Sequence, residues 1–302
     1  MLEVVGTEFP AMGTRCEVVV VADRWETARL VSLAETTVDS LEALWSRFRP
    51  ESDISRVNRH PGRPVRVSPL TVLAVGAALD AWRQTGGAFD PTVGSALIDA
   101  GYDRTFDEVV RSVHMAPSPA PGPDAVDLHR VASTISVASG VHLDLGGIGK
   151  GLAADQTVAT LIEAGASGAM VNIGGDLRAD GRPPTGQGWQ IDLDCPGSQR
   201  RLHCRIQRGA VCTSSTTRRR WPSDAGPQHH LIQPSSGTPC NTGVLTATVI
   251  GATAAACEVL ATAAIASGLS EGQRLVSSFD ATGVLIDGLG ELHELPGFER
   301  FA

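Results

Sequence analysis

The sequence predicts an α+β fold, in which helices and strands share a core without alternating regularly. Short apolar runs typical of strands cluster along the chain instead of each being followed by a helix. Between these clusters lie longer segments whose apolar residues repeat with a helical period. We therefore favour mixed or antiparallel sheets with packed helices over a doubly wound parallel sheet. The 302 residues are expected to form a single domain.

The first third of the chain supplies an early strand and several helices. A four-residue apolar run after Thr14 indicates a strand, and a helical stripe through Val38 and Leu41 ends at Pro50. Ser68 and Pro69 suit the N-cap and first position of the next helix. The predicted elements are a strand at 15–22, the helix before residue 50, a turn at 51–58, a strand at 65–67, a helix at 70–82 and another helix after residue 92.

The rest of the chain is richer in strands. Residues 115–123 read Met-Ala-Pro-Ser-Pro-Ala-Pro-Gly-Pro, which predicts an exposed, stiff loop near 115–123. Helices are expected after Lys150 and at about 253–267. The strands at 189–193, 202–206 and 210–213 look like a meander. The remaining predicted strands are 134–137, 142–144, 169–173, 245–250 and 283–286.

Composition excludes several functional classes. A net charge of −8 and 4% aromatic residues argue against a nucleic-acid surface. The longest apolar tract, 247–268, contains Glu258 and Gly251, which argues against a membrane span. The N-terminus lacks a basic start, a long apolar core and a cysteine suited to lipid attachment, so we expect a cytoplasmic protein without a signal peptide. The six cysteines form no C-x-x-C pair and are expected to be reduced thiols.

Three glycines and one lysine form the central motif. Gly146, Gly147 and Gly149 follow an apolar run that reaches Asp144, and a helical pattern begins after Lys150. Such a turn lets the backbone approach a ligand, and the start of a helix offers unpaired N–H groups to an anion. A phosphate group is the expected ligand. The alternative is a plain glycine turn with the lysine as a surface charge.

The residues at positions 151 and 152 exclude two familiar phosphate-binding loops. A Walker A loop requires Ser or Thr at the position of Gly151. A dinucleotide-binding fingerprint requires glycine at the position of Leu152. The motif therefore belongs to neither class.

A second candidate site lies on the helix near the C-terminal end of the chain. Glu258 and Thr262 are four residues apart, so they share one face of an otherwise small and apolar helix. A carboxylate and a hydroxyl are oxygen ligands of the kind that Mg²⁺ takes in phosphoryl-transfer sites. The alternative is an exposed glutamate and a threonine bonded to its own helix.

Two further segments carry groups suited to acid–base chemistry or anion binding. His229 and His230 precede a Pro/Ser/Gly turn, and adjacent residues on a strand face opposite ways, so at most one is expected to be functional. The hydroxyl-rich residues 213–217 are followed by three arginines at 218–220, which suits phosphate binding. A solvated basic turn is the alternative.

These motifs occur in a fixed order, together with a few others. They are residues 11–14, 52–58, 89–92, 144–155, 171–176, 213–214, 230–237 and 258–262. In this order they resemble the ApbE family, whose members are FAD:protein FMN transferases, over roughly residues 11–268. The resemblance implies an ApbE-like, T-fold-related architecture with FAD in a cleft and Mg²⁺ at the pyrophosphate. A Ser or Thr hydroxyl of an acceptor flavoprotein would attack the FMN-side phosphorus and release AMP.

The resemblance also implies roles for individual residues. It assigns Mg²⁺ binding to the carbonyl of Gly149 with the side chains of Glu258 and Thr262. His230 would help to deprotonate the incoming hydroxyl, and Lys150 would add positive charge. The residues that would contact FAD are Met12, Asn58, Asp90, Gly146, Gly147, Asp155, Asn172, Gly174, Gly175, Asp176 and Ser214.

Two positions depart from the family's pattern. Glu258 stands where the metal-binding helix usually has Asp, and Gln233 replaces the Asp of a His-x-x-Asp-Pro pattern. The sequence is thus compatible with an FMN transferase, with an FAD-binding protein that performs no transfer, and with a Mg²⁺-dependent FAD pyrophosphatase that releases FMN and AMP.

Overall fold

Helices and antiparallel strands pack together in this protein, which confirms the predicted α+β class. The computed structural model describes residues 1–109, 116–198, 200–224 and 226–302. The helices are α1 Thr27–Trp45, α2 Asp53–Arg59, α3 Pro69–Gln84, α4 Gly94–Asp99, α5 Gly149–Glu163, α6 Ala254–Ser267 and α7 Leu269–Ser277. The strands are β1 Leu2–Ala11, β2 Thr14–Asp23, β3 Val65–Arg66, β4 Val126–His129, β5 Thr134–Val137, β6 Gly168–Ile173, β7 Asp176–Gly181, β8 Trp189–Leu193, β9 Leu202–Ile206, β10 Gly209–Ser215, β11 Arg220–Ser223, β12 Gly226–His229, β13 Ile232–Gln233, β14 Thr238–Pro239, β15 Val244–Gly251, β16 Thr282–Asp287 and β17 Leu292–Glu294.

The central sheet joins segments that are far apart in the sequence. Among the described residues it contains eight strands in the order β1-β2-β6-β7-β10-β15-β16-β17. Neighbouring strands are antiparallel throughout. Cys16 lies opposite Ile173, and Asp176 lies opposite Cys212. The 12–13 turn, the 174–175 turn and residues 213–217 therefore meet at one end of the sheet.

The two faces of this sheet bury different apolar clusters, as the two-residue period of a strand requires. In β6, Val171 and Ile173 belong to the larger cluster, whereas Met170 faces the smaller one. Helices α1, α5 and α6 pack on the face of the larger cluster. The β8–β9 hairpin and Phe298 belong to the smaller cluster. The sheet is consequently buried on both sides over its centre.

Capping explains where two of the helices begin. The Ser68 hydroxyl accepts from the N–H of Leu70 and Pro69 opens α3, as predicted. The predicted turn at 51–58 is wrong, because residues 53–59 form α2. Ser52 is its N-cap and accepts from the N–H of Ser55 at 3.0 Å. The segment is short, but Ile54 and Val57 are buried and stabilise it through packing.

Two predictions about strands need correction. Residues 142–144 form no regular strand, since His142 makes an isolated bridge to Val93. The predicted meander is divided, because β8 and β9 pair only with each other among the described residues, while β10 joins the central sheet between β7 and β15. Strands β1, β4, β7, β11–β14 and β17, and helix α7, were not predicted.

The proline-rich loop is partly docked on the protein. Met115 lies outside the described residues. Residues 116–119 are exposed as predicted, but the N–H of Ala120 donates to the carbonyl of Pro234 at 2.8 Å. The N–H of the buried Gly122 donates to the Thr92 hydroxyl at 3.0 Å. The loop is thereby fixed against the 233–238 turn.

The predicted absence of a membrane span agrees with the helices that the structure describes, none of which combines the length and apolar character that a bilayer crossing requires. All six cysteines are free thiols, and five of them are buried.

Candidate active site

Lys150, Asp176 and Glu258 form a charged cluster at the start of α5. The Lys150 ammonium donates hydrogen bonds to Asp176 Oδ2 and to Glu258 Oε1. The other Glu258 oxygen accepts from the N–H of Gly151 at 2.7 Å. The side chains of Asp176 and Glu258 are 3% and 2% exposed, and that of Lys150 is 17% exposed. Three residues that the sequence assigned to different roles thus form one unit.

The cluster carries an excess of negative charge, because two carboxylates face one ammonium. Burial and then the neighbouring Asp176 raise the pKa of Glu258 above its ordinary value, against the opposing effect of Lys150. Burial alone would lower the pKa of Lys150, but Asp176 and Glu258 raise it above the usual lysine value. The negative charge of Asp176 contributes to both shifts. Asp176 Oδ1 is buried and has no hydrogen-bond partner among the described residues.

The glycine loop lies next to Thr262, the third member of the predicted metal site. A Cβ added to Gly147 would lie 3.5 Å from Thr262 Oγ1 and 3.1 Å from the ring of Phe89. A Cβ added to Gly149 would meet only Leu145 within 4 Å. Gly147 therefore adjoins Thr262, and metal binding by the carbonyl of Gly149 stays a prediction. The Thr262 hydroxyl also lies 3.0 Å from that of Ser214.

Polar side chains hold the strand-like segment before this loop in place. The Asn58 side chain donates to the carbonyl of Leu143 at 2.9 Å and accepts from its N–H at 2.8 Å. Asp144 Oδ1 accepts from the N–H of Gly146, and Oδ2 pairs with Arg47 Nε at 2.6 Å. Asn58 therefore holds the segment before the loop through the N–H and carbonyl of Leu143.

Asp90 and Asp155 already accept hydrogen bonds from the protein. Asp90 Oδ1 accepts from the N–H and the hydroxyl of Thr92, and burial raises its pKa despite these bonds. The two oxygens of Asp155 accept from the N–H groups of Ala254 and Ala255, each at 2.9 Å. Because these N–H groups begin α6, Asp155 ties α5 to the helix that carries Glu258.

Asn172 supports the second glycine turn. Its side-chain oxygen accepts from the N–H of Gly175 at 3.0 Å. Gly174 and Gly175 have φ of +66° and +106°, and a Cβ on Gly174 would lie 2.6 Å from the Thr14 hydroxyl. Only glycine allows this close approach. The turn leads directly into Asp176, so it positions that carboxylate.

The two histidines of the pair differ in their hydrogen bonds. His229 Nε2 lies 3.0 Å from the carbonyl of Cys240, and its Nδ1 accepts from the N–H of Leu231. The Nδ1 of His230 is buried without a hydrogen-bond partner in the described part of the chain. Burial, and then the charges of Arg219, His229 and Lys150, lower the pKa of His230 well below its ordinary value. A neutral imidazole with a free nitrogen can accept a proton.

Met12 lies in the 12–13 turn with φ of +50°, which is uncommon for a residue with a side chain. The turn borders an open cavity of about 650 Å³ that is lined by Phe9, Met12, Glu42 and Asp107, among others. Its volume is in the range of small-molecule sites. Among the described residues that line this cavity, Met12 is the only one that was predicted to belong to the site. The charged cluster gives the better indication of where chemistry takes place.

Sequence reasoning missed Arg47 and Arg178. Arg47 pairs with Asp144 beneath the loop, and Arg178 pairs with Asp155 at 3.4 Å and with Asp180 at 3.0 Å. Their pairs with Asp144 and Asp155 join distant parts of the chain, so no local pattern indicates them. The run of three arginines did mark the region of Arg219.

Comparisons with known proteins agree with this geometry. The family model described as the ApbE family matches residues 12–286. A protein of Vibrio cholerae named FAD:protein FMN transferase is 27% identical, over 77% of this chain and 72% of that protein. One of Treponema pallidum with the same name is 27% identical, over 91% and 82% of the two chains.

Solved structures show the same fold. The ApbE protein of Thermotoga maritima superposes with a TM-score of 0.87 and 25% identity, covering 99% of both chains. The flavin transferase ApbE of Vibrio cholerae superposes with a TM-score of 0.83 and 23% identity, covering 100% of both chains, and supports the fold alone. With a family model that matches most of its length, the chain belongs to the ApbE family.

Proposed function

We propose that this protein is an FAD:protein FMN transferase, which moves FMN from FAD to a Ser or Thr hydroxyl of an acceptor flavoprotein with Mg²⁺ and releases AMP. The observation that supports it best is the assembly of Lys150, Asp176, Glu258 and Thr262 beside the glycine loop. Family membership and the names of the relatives point to the same activity. The alternatives are FAD binding alone and FAD hydrolysis.

The residues of the cluster fit a divalent cation. Mg²⁺ takes oxygen ligands, and the buried Asp176 Oδ1 has no partner among the described residues. Two carboxylates against one ammonium leave room for further positive charge. Glu258 and Thr262 would hold the ion together with the carbonyl of Gly149. When bound, Mg²⁺ supplies charge stabilisation at the phosphoryl oxygens.

The other residues of the site perform binding and proton transfer. The glycine loop approaches the pyrophosphate of FAD without side-chain obstruction, and Lys150 adds a fixed positive charge. His230 takes the proton from the acceptor hydroxyl at its free Nδ1. The hydroxyl oxygen then bonds to the FMN-side phosphorus, the bond from that phosphorus to the bridging oxygen breaks, and AMP leaves.

The activity is tested with purified protein, FAD, Mg²⁺ and a library of synthetic peptides that each contain one Ser or Thr. Mass spectrometry of the peptides and chromatography of the nucleotides give the products. A peptide that gains FMN while AMP appears supports transfer. Free FMN and AMP in equal amounts indicate a pyrophosphatase, and unchanged bound FAD indicates a binding protein. Peptides with Ser or Thr replaced by Ala are the control.

The metal site is tested independently of turnover. Lys150 is the only lysine of the chain, so ¹⁵N-lysine labelling gives one side-chain resonance from within the site. Titration with Mg²⁺ is expected to shift this resonance in the wild type and to leave it unchanged in Thr262→Val. Thr36→Val is the matched control, because Thr36 is an exposed helical threonine on α1. An identical shift in Thr262→Val would remove this residue from the metal site.

A further inference from the structure

Arg219 is a half-buried cation that forms no ion pair with any carboxylate of the described residues. One of its terminal nitrogens donates to the carbonyl of Gly13 at 3.1 Å. The preceding Arg218, in contrast, pairs with Asp194 at 2.6 Å on the surface. A guanidinium carries five N–H donors in a planar fork. Most donors of Arg219 are therefore available to another group.

The backbone of Arg219 is held in a conformation that rarely suits a residue with a side chain. Its φ is +47°, and Met12, across the bond to Gly13, has φ of +50°. Such conformations cost free energy, persist where the surrounding structure enforces them, and cluster at ligand sites. The contact thus joins two strained turns at the end of the sheet where the predicted site lies.

The charge of Arg219 acts on the candidate base. After burial, it is the largest cause that lowers the pKa of His230, and Lys150 acts in the same direction. Lys150 is already balanced by Asp176 and Glu258. Arg219 contacts Gly13, and the adjacent Thr14 lies against Gly174, so the guanidinium lies at the end of the sheet that carries Asp176 and the charged cluster. An anionic group that binds there would meet a guanidinium that no carboxylate of the described residues balances.

We propose that Arg219 binds a non-bridging oxygen of the flavin-side phosphoryl group of FAD. This inference rests on the proposed function, in which His230 lies beside the hydroxyl that attacks that phosphorus. A guanidinium fork matches the spacing of phosphoryl oxygens, and a fixed cation stabilises charge that develops on them. Arg219 thereby selects a phosphorylated flavin and orients its phosphorus toward the acceptor hydroxyl.

The test measures affinities in the presence of Mg²⁺ for FAD, FMN, riboflavin and AMP. Flavins are followed by fluorescence and AMP by calorimetry. In Arg219→Met, the affinities for FAD and FMN should fall about ten-fold or more, which is the effect of losing a charge-assisted hydrogen bond. The affinities for riboflavin and AMP should not change. Arg219→Lys should give a smaller loss. Arg218→Met is the matched control and should bind all four ligands like the wild type.

Three results would overturn the inference. If the affinities for riboflavin and FAD fall equally, Arg219 only supports the Met12 turn and does not bind the phosphoryl group. Unchanged FAD affinity would remove it from the ligand site, and a loss confined to AMP would place it at the other phosphate. Should Arg219→Met fail to fold, Arg219→Gln, which keeps a donor for Gly13, takes its place. Arg219-dependent FAD binding without acceptor labelling would contradict the proposed function alone, whereas a wild type that binds no FAD would overturn both.

Discussion

Glu258 and Gly151 are joined by a hydrogen bond of 2.7 Å that links α6 to the start of α5. The N–H of Gly151 belongs to the first turn of α5, where a helix leaves its donors unpaired. A Cβ on Gly151 would lie 2.4 Å from the carbonyl oxygen of Ala254, so only glycine allows the two helices to approach this closely. The orientation of Glu258 is therefore set by a helix start, and several consequences can be measured.

Replacement of the buried Glu258 carboxylate by an amide should lower the activity with little change in stability. In Glu258→Gln, Mg²⁺-dependent FMN transfer is expected to fall at least about a hundred-fold, because even residues behind the ligands of a metal change activity by ten- to a hundred-fold. The free energy of unfolding in EDTA should change by less than about 1 kcal/mol, because Lys150 keeps Asp176 as a partner and relief of the repulsion from Asp176 offsets the weakened bonds to Lys150 and Gly151. Urea denaturation and turnover assays check both. Full transfer activity in this variant would exclude Glu258 as a ligand.

His230 should act as a neutral base across the physiological range. Because burial and the nearby cations lower the pKa of His230 well below 6.5, the transfer rate at saturating Mg²⁺ should be independent of pH above 6.5 and should fall only at lower pH. His230→Asn should lose transfer but keep FAD binding. A pH–rate profile checks this, and an acid limb centred at or above pH 6.5 would contradict the assignment.

The lowered pKa of His230 also predicts how the stability of the protein depends on pH. Below pH 6.5 the unfolded chain protonates this imidazole while the folded chain does not, so the unfolded state binds more protons. His230 therefore contributes stability above pH 6.5 that is lost as the pH falls toward the folded pKa. Thermal melts between pH 7.5 and 5.5 should show a smaller decrease for His230→Asn than for the wild type. Equal decreases would show that the folded and unfolded pKa values are the same.

The pair of Arg47 and Asp144 should be essential for stability. Their side chains are 10% and 9% exposed, and the guanidinium lies 4.1 Å from the ring centroid of Phe48. Arg47→Met leaves a buried carboxylate without its partner and is expected to cost about 3–5 kcal/mol. Arg49→Met breaks ion pairs that are more exposed to solvent, so it should cost less than about 1 kcal/mol. Urea unfolding curves compare the two, and similar losses would contradict a special role for the buried pair.

Asp155 should stabilise α6 rather than bind the substrate directly. Its two oxygens accept from the first N–H groups of that helix, so Asp155→Ala is expected to cost about 1–2 kcal/mol in the free energy of unfolding. The FAD affinity of the folded variant should remain close to that of the wild type. Asp127→Ala, at an exposed position on β4, is the control and should change stability by less than about 0.5 kcal/mol. A marked loss of FAD affinity without destabilisation would restore the role implied by the family resemblance.

Local sequence signals were sufficient for elements whose apolar period and capping residues agree. Helix α3 follows from Ser68 and Pro69, and β6 from its run of apolar residues. Strand β7 escaped prediction because two apolar residues, Leu177 and Ala179, are too few to establish a strand period, and Asp, which is depleted in strands, occupies two of its six positions. Helix α2 escaped because its stability comes from burial of Ile54 and Val57 and not from length.

The sequence by itself determined the α+β class, the order of the motifs and the residue types that a phosphate and a metal need. Only the tertiary structure decided which of those residues touch. Lys150 and Glu258 are 108 positions apart, and they meet because α5 and α6 pack on the same face of the sheet. Local propensity acts over a few residues, whereas the partner of a buried charge is fixed by the packing of whole elements. For that reason the pairing of Arg47 with Asp144, and the absence of an ion-pair partner for Arg219 among the described residues, could be found only in the folded chain.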